Sequence, residues 1–168
     1  MKPETLKELL ETRFVGEVRD ITVRRTTDGF QRPVERRTVI ATVNRDALPD
    51  IVAALSCVGR LHIACALPGI ARGEDLELIY PLTLFAGQGP RRELMVVLKT
   101  LLPADDLCVP TITATLPGAQ VMEREAQEML GVTVVGLPDP SRMFTPDLPE
   151  GFFPHRQAPA TDRPEEAP

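Results

Sequence analysis

At 168 residues the chain is long enough for one sizeable core and short for two. Hydrophobic residues make up 43% of it but aromatics only 4%, so the core is expected to be built from Leu, Val, Ile, Met and Ala. A formal net charge of -5 argues against a nucleic-acid binder, and no stretch reaches the roughly 20 apolar residues of a membrane span.

The N-terminal segment MKPETLKELLETRF has no apolar run and no cleavage-like site, which predicts a soluble, cytoplasmic protein without a signal peptide. Three widely spaced cysteines, Cys57, Cys65 and Cys108, predict buried reduced thiols instead of a disulfide framework.

Residues 5–14 read as a short helix with Leu6, Leu9 and Leu10 on its inner side. Residues 16–26 carry the β-formers Val18, Ile21 and Val23, and Asp28-Gly29 signals a turn. Residues 37–43 would return as the second strand of a long hairpin, made ragged by Gln31-Arg32-Pro33. Ten of the 19 basic residues fall in the first 45 positions, with Arg24, Arg25, Arg32, Arg36 and Arg37 crowded into this hairpin. They read either as a solvated surface or as a docking site for an acidic neighbour.

A second helix starts at Asn44 or Asp46 and runs to about Ser56. Leu48, Ile51, Val52 and Leu55 stand at i, i+3, i+4 and i+7, and Pro49 is tolerated in its first turn. Residues 60–67, 76–84 and 93–99 alternate as strands, with connections short enough for an antiparallel meander. Gly87-Gln88-Gly89-Pro90 is read as a hairpin loop. Pro81 interrupts the middle strand and demands a bulge or a missing neighbour. Residues 104–117 form a crossing segment, with a helical turn expected near 111–115.

The predicted fold is α+β, an antiparallel or mixed sheet with helices packed on one face. Residues 1–136 make up this domain. Residues 137–156 form an irregular, proline-rich strap, and residues 157–168 a disordered tail with no core former.

The join between domain and strap is the most informative part. After Pro117-Gly118, residues 119–130 are good helix formers, and Gly131 stands where a left-handed C-cap is wanted. Val121, Met122, Ala126, Met129 and Leu130 share one arc, with Arg124 opposite. Glu125 falls inside the arc, where an unpaired carboxylate is costly. Arg142 or Arg156 from the strap is the expected partner. The strap itself, with Met143, Phe144, Leu148, Phe152 and Phe153, is too apolar for an idle linker.

Intrinsic chemistry is sparse. His62 and His155 are far apart, and no CxxC, HxxxH or HExxH pattern, Walker loop or GxGxxG is present. Glu123, Glu125 and Glu128 read as a charged amphipathic helix before they read as an acid/base set.

Glu123-Arg124-Glu125, Glu128-Met129-Leu130-Gly131, Gly136-Leu137-Pro138-Asp139, Arg142, then Pro149-Glu150-Gly151 through Pro154 and Arg156, follow one another in an order and spacing that resembles a known family. It is the 30-kilodalton, or C-type, subunit of respiratory complex I, with its relatives in energy-converting nickel–iron hydrogenases. Looser similarity begins near Arg60. Leu137 stands where the family pattern has His, Gln127 where it has Tyr, Leu130 where it has Phe and His155 where it has Leu, and Trp is absent.

The resemblance implies a subunit without a cofactor of its own. It would buttress a hydrogenase-like or quinone-reducing large subunit beside iron–sulfur subunits, and touch the membrane only through the complex. A nickel–iron site and iron–sulfur clusters would then belong to partner subunits. Glu123, Arg124, Glu125, Glu128, Gly131, Gly136, Pro138, Asp139, Arg142 and Arg156 would serve as family motif and subunit interface, with Phe152 and Phe153 as apolar anchors. The departures at Leu137 and Trp lean toward the hydrogenase branch over NADH:quinone oxidoreductase. The alternatives of other classes are a free-standing enzyme using Glu125 and a solitary binding module using the arginine-rich hairpin.

Overall fold

The computed structural model describes residues 1–29, 34–86 and 93–156. Its elements run α1 (Pro3–Arg13), β1 (Val18–Asp28), β2 (Val34–Val43), a 3-10 turn (Arg45–Ala47), α2 (Leu48–Val58), β3 (Arg60–Ile63), β4 (Gly69–Arg72), β5 (Asp75–Phe85), β6 (Glu93–Leu102), β7 (Cys108–Pro110), α3 (Ala119–Leu130) and β8 (Thr133–Val135).

Six strands form one sheet in the order β1-β2-β6-β5-β3, with β4 also paired to β5, while β7 and β8 make a separate parallel pair. The β1–β2 hairpin and the β3–β5–β6 meander are antiparallel as expected, but β2 and β6 run parallel, so the sheet is mixed. Strand alternation selects the buried side. Val39 and Ala41 of β2, Tyr80 and Leu82 of β5, and Val96 and Leu98 of β6 have no exposed surface. They join Leu6 and Leu10 of α1, and Ile51 and Leu55 of α2, in a single core. Asn44 caps the 3-10 turn by accepting the Asp46 N–H at 3.2 Å.

Pro81 fits mid-strand because of where β3 stops. A strand residue turns its N–H and C=O to the same side. The Pro81 carbonyl accepts from Ala64 at 2.7 Å, just past the last β3 residue, so the missing donor faces the strand's end. The predicted strand 60–67 accordingly ends early, at Ile63, and β4 forms at Gly69–Arg72 in the stretch read as a connection.

The helical turn expected in the crossing segment forms at Ile112, whose carbonyl accepts from Thr115 and Leu116. Cys57 and Cys65 are exposed and Cys108 is half-buried, contrary to the expectation of buried thiols. Cys57 stands in the last turn of α2, Cys65 follows β3 and Cys108 opens β7, and none of them takes an inward-facing core position. The raggedness placed at residues 31–33, the hairpin loop at 87–90 and the tail at 157–168 lie outside the described residues.

Candidate functional site

Helix α3 and the segment after it form one clasp. Gly131 ends the helix in the left-handed region (φ 72°), with its N–H on the Gln127 carbonyl at 3.1 Å. The chain turns through β8, and Gly136 adopts φ 83° before the strap begins. From there to Arg156 no helix or strand forms, only turns.

Polar side chains of α3 hold this irregular segment in place. Arg124 donates from Nε and Nη2 to the Ser141 carbonyl (3.0 and 2.8 Å) and meets Asp139 at 3.2 Å. Gln127 donates to the Pro140 carbonyl at 2.9 Å and accepts from the Val134 N–H at 3.3 Å. Asp139 takes the Ser141 N–H and hydroxyl, closing an Asx turn.

Glu128 is the centre of the clasp. Its carboxylate accepts the backbone N–H groups of Met143 (2.9 Å), Phe144 (2.9 and 3.0 Å) and Thr145, and the Thr145 hydroxyl at 2.6 Å. Consecutive N–H groups turned on one anion make a backbone nest. Burial would push the Glu128 carboxyl up, but the Thr145 hydroxyl and the three N–H groups outweigh it and hold the pKa at about 2.

Further along, Arg142 braces the strap from within, donating to the Thr145 carbonyl at 3.4 Å and the Phe152 carbonyl at 3.2 Å. The Phe153 ring lies over Gly131 so closely that a Cβ there would stand 2.6 Å from it. The His155 N–H closes the segment on the Met129 carbonyl at 2.9 Å.

The other end of α3 is tied to the domain. Glu123 is fully buried, accepting the Ile112 N–H at 3.0 Å and the Thr111 hydroxyl at 2.5 Å. Burial raises its pKa, and these bonds only partly offset the rise. The buried Tyr80 hydroxyl has no hydrogen-bond partner of normal geometry, yet it lies near enough that Glu123 adds to the upward push that burial gives the phenol.

The expected Glu125 lock does not form. Glu125 is half-exposed and, among the described residues, neither it nor the Arg156 side chain has a hydrogen bond or ion pair. The helix is rolled so that Ala119, Glu123, Ala126 and Leu130 face inward, leaving Val121 43% exposed. Arg124, predicted to point away, reaches the strap. Glu128 takes the role assigned to Glu125, with backbone donors in place of arginine. Three N–H groups and a hydroxyl satisfy a carboxylate without desolvating a guanidinium as well.

Neither buried carboxylate is placed for acid/base work on a substrate: Glu128 is saturated by the strap, and Glu123 is sealed from solvent. The open groove beside the clasp, lined by Gln127, Val132, Leu137, Pro140 and Phe153, has no titratable side chain. Among the described residues no group of three or more His, Cys, Asp or Glu is placed to hold a metal ion.

Residues 41–164 match the family model described as respiratory-chain NADH dehydrogenase, 30 Kd subunit. The chain belongs to this family.

Hydrogenase-4 component G of Escherichia coli is 30% identical to this 30 Kd-family chain over 92% of it and 26% of the relative. Membrane-bound hydrogenase subunit beta of Pyrococcus furiosus is 33% identical over 50% of the chain and 48% of the relative. The C/D subunit of NADH-quinone oxidoreductase from Erwinia tasmaniensis is 42% identical over 39% of the chain and 11% of the relative. The chain thus spans from a tenth to about half the length of these relatives.

Two solved structures share the fold. One is a chain of the membrane-bound sulfane sulfur reductase, an archaeal respiratory membrane complex (TM-score 0.63, 20% identity, 91% of this chain and 82% of that one). The other is a trypsin-resistant fragment of Nqo5 (TM-score 0.57, 18% identity, 83% of this chain and 99% of that one).

The residues expected to form the family motif map onto the clasp. Glu123, Arg124 and Glu128 are its three grips, Gly131 and Gly136 its bends, and Asp139 and Arg142 its strap contacts. Pro138 and Phe152 face outward. Thr111, Ser141 and Thr145 escape a reading of the sequence alone. The Thr-Pro pair at 145–146 is the available signal, since the residue before proline is held extended, with its N–H and hydroxyl free to point at an acceptor.

Proposed function

We propose that the chain is a cofactor-free scaffold subunit in the cytoplasmic arm of a membrane-bound, ion-pumping oxidoreductase, at the inner face of the cell membrane and of the energy-converting hydrogenase type. The observation that carries the hydrogenase assignment is coverage. Similarity to hydrogenase-4 component G extends over 92% of the chain, whereas the C/D relative from NADH-quinone oxidoreductase matches over 39%. No helix among the described residues is long and apolar enough to cross a membrane, which accords with attachment through other subunits.

In this reading the clasp presents the strap to a partner. Glu128 and Arg142 fix its path from behind, and Phe144 and Phe152 are left 52% and 51% exposed, with Leu148 at 36%. Apolar groups held outward on a proline-rich segment suit a surface that assembly buries. Phe153 is spent on Gly131, so Phe152 and Phe144 would make the contact, not the Phe152–Phe153 pair. The nickel–iron site and iron–sulfur clusters would reside in the large subunit and its iron–sulfur neighbours.

The test is purification of the complex from native membranes through a tag on this chain. A nickel-binding large subunit with iron–sulfur subunits is the expected company. A cysteine-poor, quinone-reducing large subunit would transfer the chain to the NADH:quinone branch, and isolation of the chain alone would contradict the subunit reading.

A further inference from the structure

The helices cover one face of the six-stranded sheet. On the other, strand register lines up the half-buried Ile40 and Val97 with Pro81, itself buried, in an apolar row across β2, β6 and β5. Met95 and Leu101 flank it on β6, 39% and 40% exposed. Ile40, Met95, Val97 and Leu101 stand apart from the hydrophobic core and from the side chains packed against it.

Charge on this face is uneven. At the hairpin end Arg19 and Arg24 are exposed and register against Thr42 and Thr38. Among the described side chains that register onto the face, the acids gather instead on β5 and β6, where Glu77 meets Arg72 at 2.7 Å and Lys99 at 4.0 Å. In a chain of net charge -5, the β1–β2 end of this partly apolar face is therefore positive. Arg25, from the same crowded segment, points the other way and is taken by Glu4 at 2.5 Å.

We propose that this sheet face docks a second protein subunit, through a surface with an apolar centre and an acidic rim set against the β1–β2 end. The inference rests on reading the chain as part of a complex, and it adds an interface separate from the strap. A second copy of the chain would not supply the acidic rim, because Glu77 at the far end of the face is already engaged by Arg72 and Lys99. A lipid surface does not suit it either: among the described residues, the apolar row of Ile40, Val97 and Pro81 carries no aromatic of the kind that seats in a membrane interface. Among the described residues of the face there is no free stacking platform for nucleic-acid bases either. Phe85, the aromatic at the β3 side, is occupied by Arg60, 5.2 Å from its centroid, and by the His62 ring at 5.5 Å.

The experiment compares hydroxyl-radical oxidation of the isolated chain with that of the same chain in the complex purified from native membranes. Met95 and Leu101 are expected to be oxidised severalfold more slowly in the complex, while exposed Val15, at the end of α1, changes little. A double variant, Arg19→Glu with Arg24→Glu, should fold normally in isolation. In the complex it should show less of that protection than the wild type at low salt, and the difference should shrink as salt rises, because repulsion between the introduced glutamates and the acidic rim is screened as the Debye length falls from about 8 Å at 0.15 M to about 3 Å at 1 M.

Equal oxidation of Met95 in both states, with other subunits still co-purifying, would overturn the sheet interface and leave the subunit reading intact. Absence of any co-purifying subunit would overturn both. Loss of protection on delipidation with all subunits retained would assign the face to lipid and refute a protein partner. Equal protection of Met95 in the wild type and the double variant at low salt would refute the acidic rim.

Discussion

Glu123 and Glu128 stand on the same helix, both nearly lost to solvent, and their pKa values move in opposite directions. The difference lies in the donors. Glu123 sits inside the domain with one N–H and one hydroxyl bonded to it, too few to offset burial, so its charged form is disfavoured. Glu128 lies under the strap with three N–H groups and a hydroxyl turned on it, and its charge is strongly favoured. The first carboxyl anchors the helix, and the second uses its charge to order a segment with no secondary structure of its own.

Isosteric amides separate the two most sharply. Glu128→Gln turns an NH2 group toward donors and should destabilise the chain by about 2–3 kcal/mol, or roughly 5–10 °C in Tm. Glu123→Gln keeps an acceptor and removes the cost of a buried charge, so it should stay within about 1 kcal/mol of the wild type. Urea unfolding of the pair checks this, and a larger loss for Glu123→Gln would invert the comparison.

The pH dependences should also run in opposite directions. Glu128 has a folded pKa of about 2 against an ordinary value of 4.5, so its contribution is complete above about 4.5 and is lost as pH falls toward 2. Because the carboxylate lies just under the surface, solvent screening trims that contribution to on the order of 2 kcal/mol. For Glu123 the folded pKa is raised, so its contribution is complete below 4.5 and fades as pH climbs through the folded value. Glu128→Gln should flatten the acid limb of a stability–pH curve, and Glu123→Gln should remove a loss on the neutral side.

Gly131→Ala comes next in size. It places a Cβ at φ 72° and against the Phe153 ring, for a cost of about 1–3 kcal/mol. Combined with Phe153→Ala the two changes should be less than additive, since the smaller side chain makes room for the Cβ. Strict additivity in a double-mutant cycle would mean that the ring does not sit on the glycine in solution.

The smallest effects belong to the strap's outer surface. Arg142→Ala loses bonds to two strap carbonyls and should cost about 1 kcal/mol. Arg156→Ala and Phe152→Ala should stay within about 0.5 kcal/mol in the isolated chain, because both side chains are exposed. A large loss from either would move it into the clasp.

Much of the fold is legible because it rests on periodicity. Leu48, Ile51, Val52 and Leu55 announce the inner face of α2 and are fully buried. Alternation in β5 and β6 places Leu82, Leu84, Leu94 and Val96 correctly. Strand β4 escapes because Gly-Ile-Ala-Arg is short and does not alternate. The parallel pairing of β2 with β6 joins segments too distant in sequence for any turn signal to specify.

The motif around α3 is visible in the sequence, but its wiring is not. A helical wheel weighs side chains by polarity, so it puts Val121 inside and Glu123 outside. What reverses them is the supply of donors from Thr111, Ile112 and residues 143–145, groups that only the folded chain brings alongside the helix. The backbone N–H, a donor that every residue but proline carries, leaves no mark in a sequence.

The most direct test of the clasp is hydrogen exchange at the backbone amides of Met143, Phe144 and Thr145 in the isolated chain, wild type against Glu128→Gln. These amides should be protected in the wild type and exchange freely in the variant, while Leu82 and Val96 in the sheet stay protected in both. Free exchange in the wild type, or protection that survives the substitution, would contradict a strap held on its own domain by Glu128.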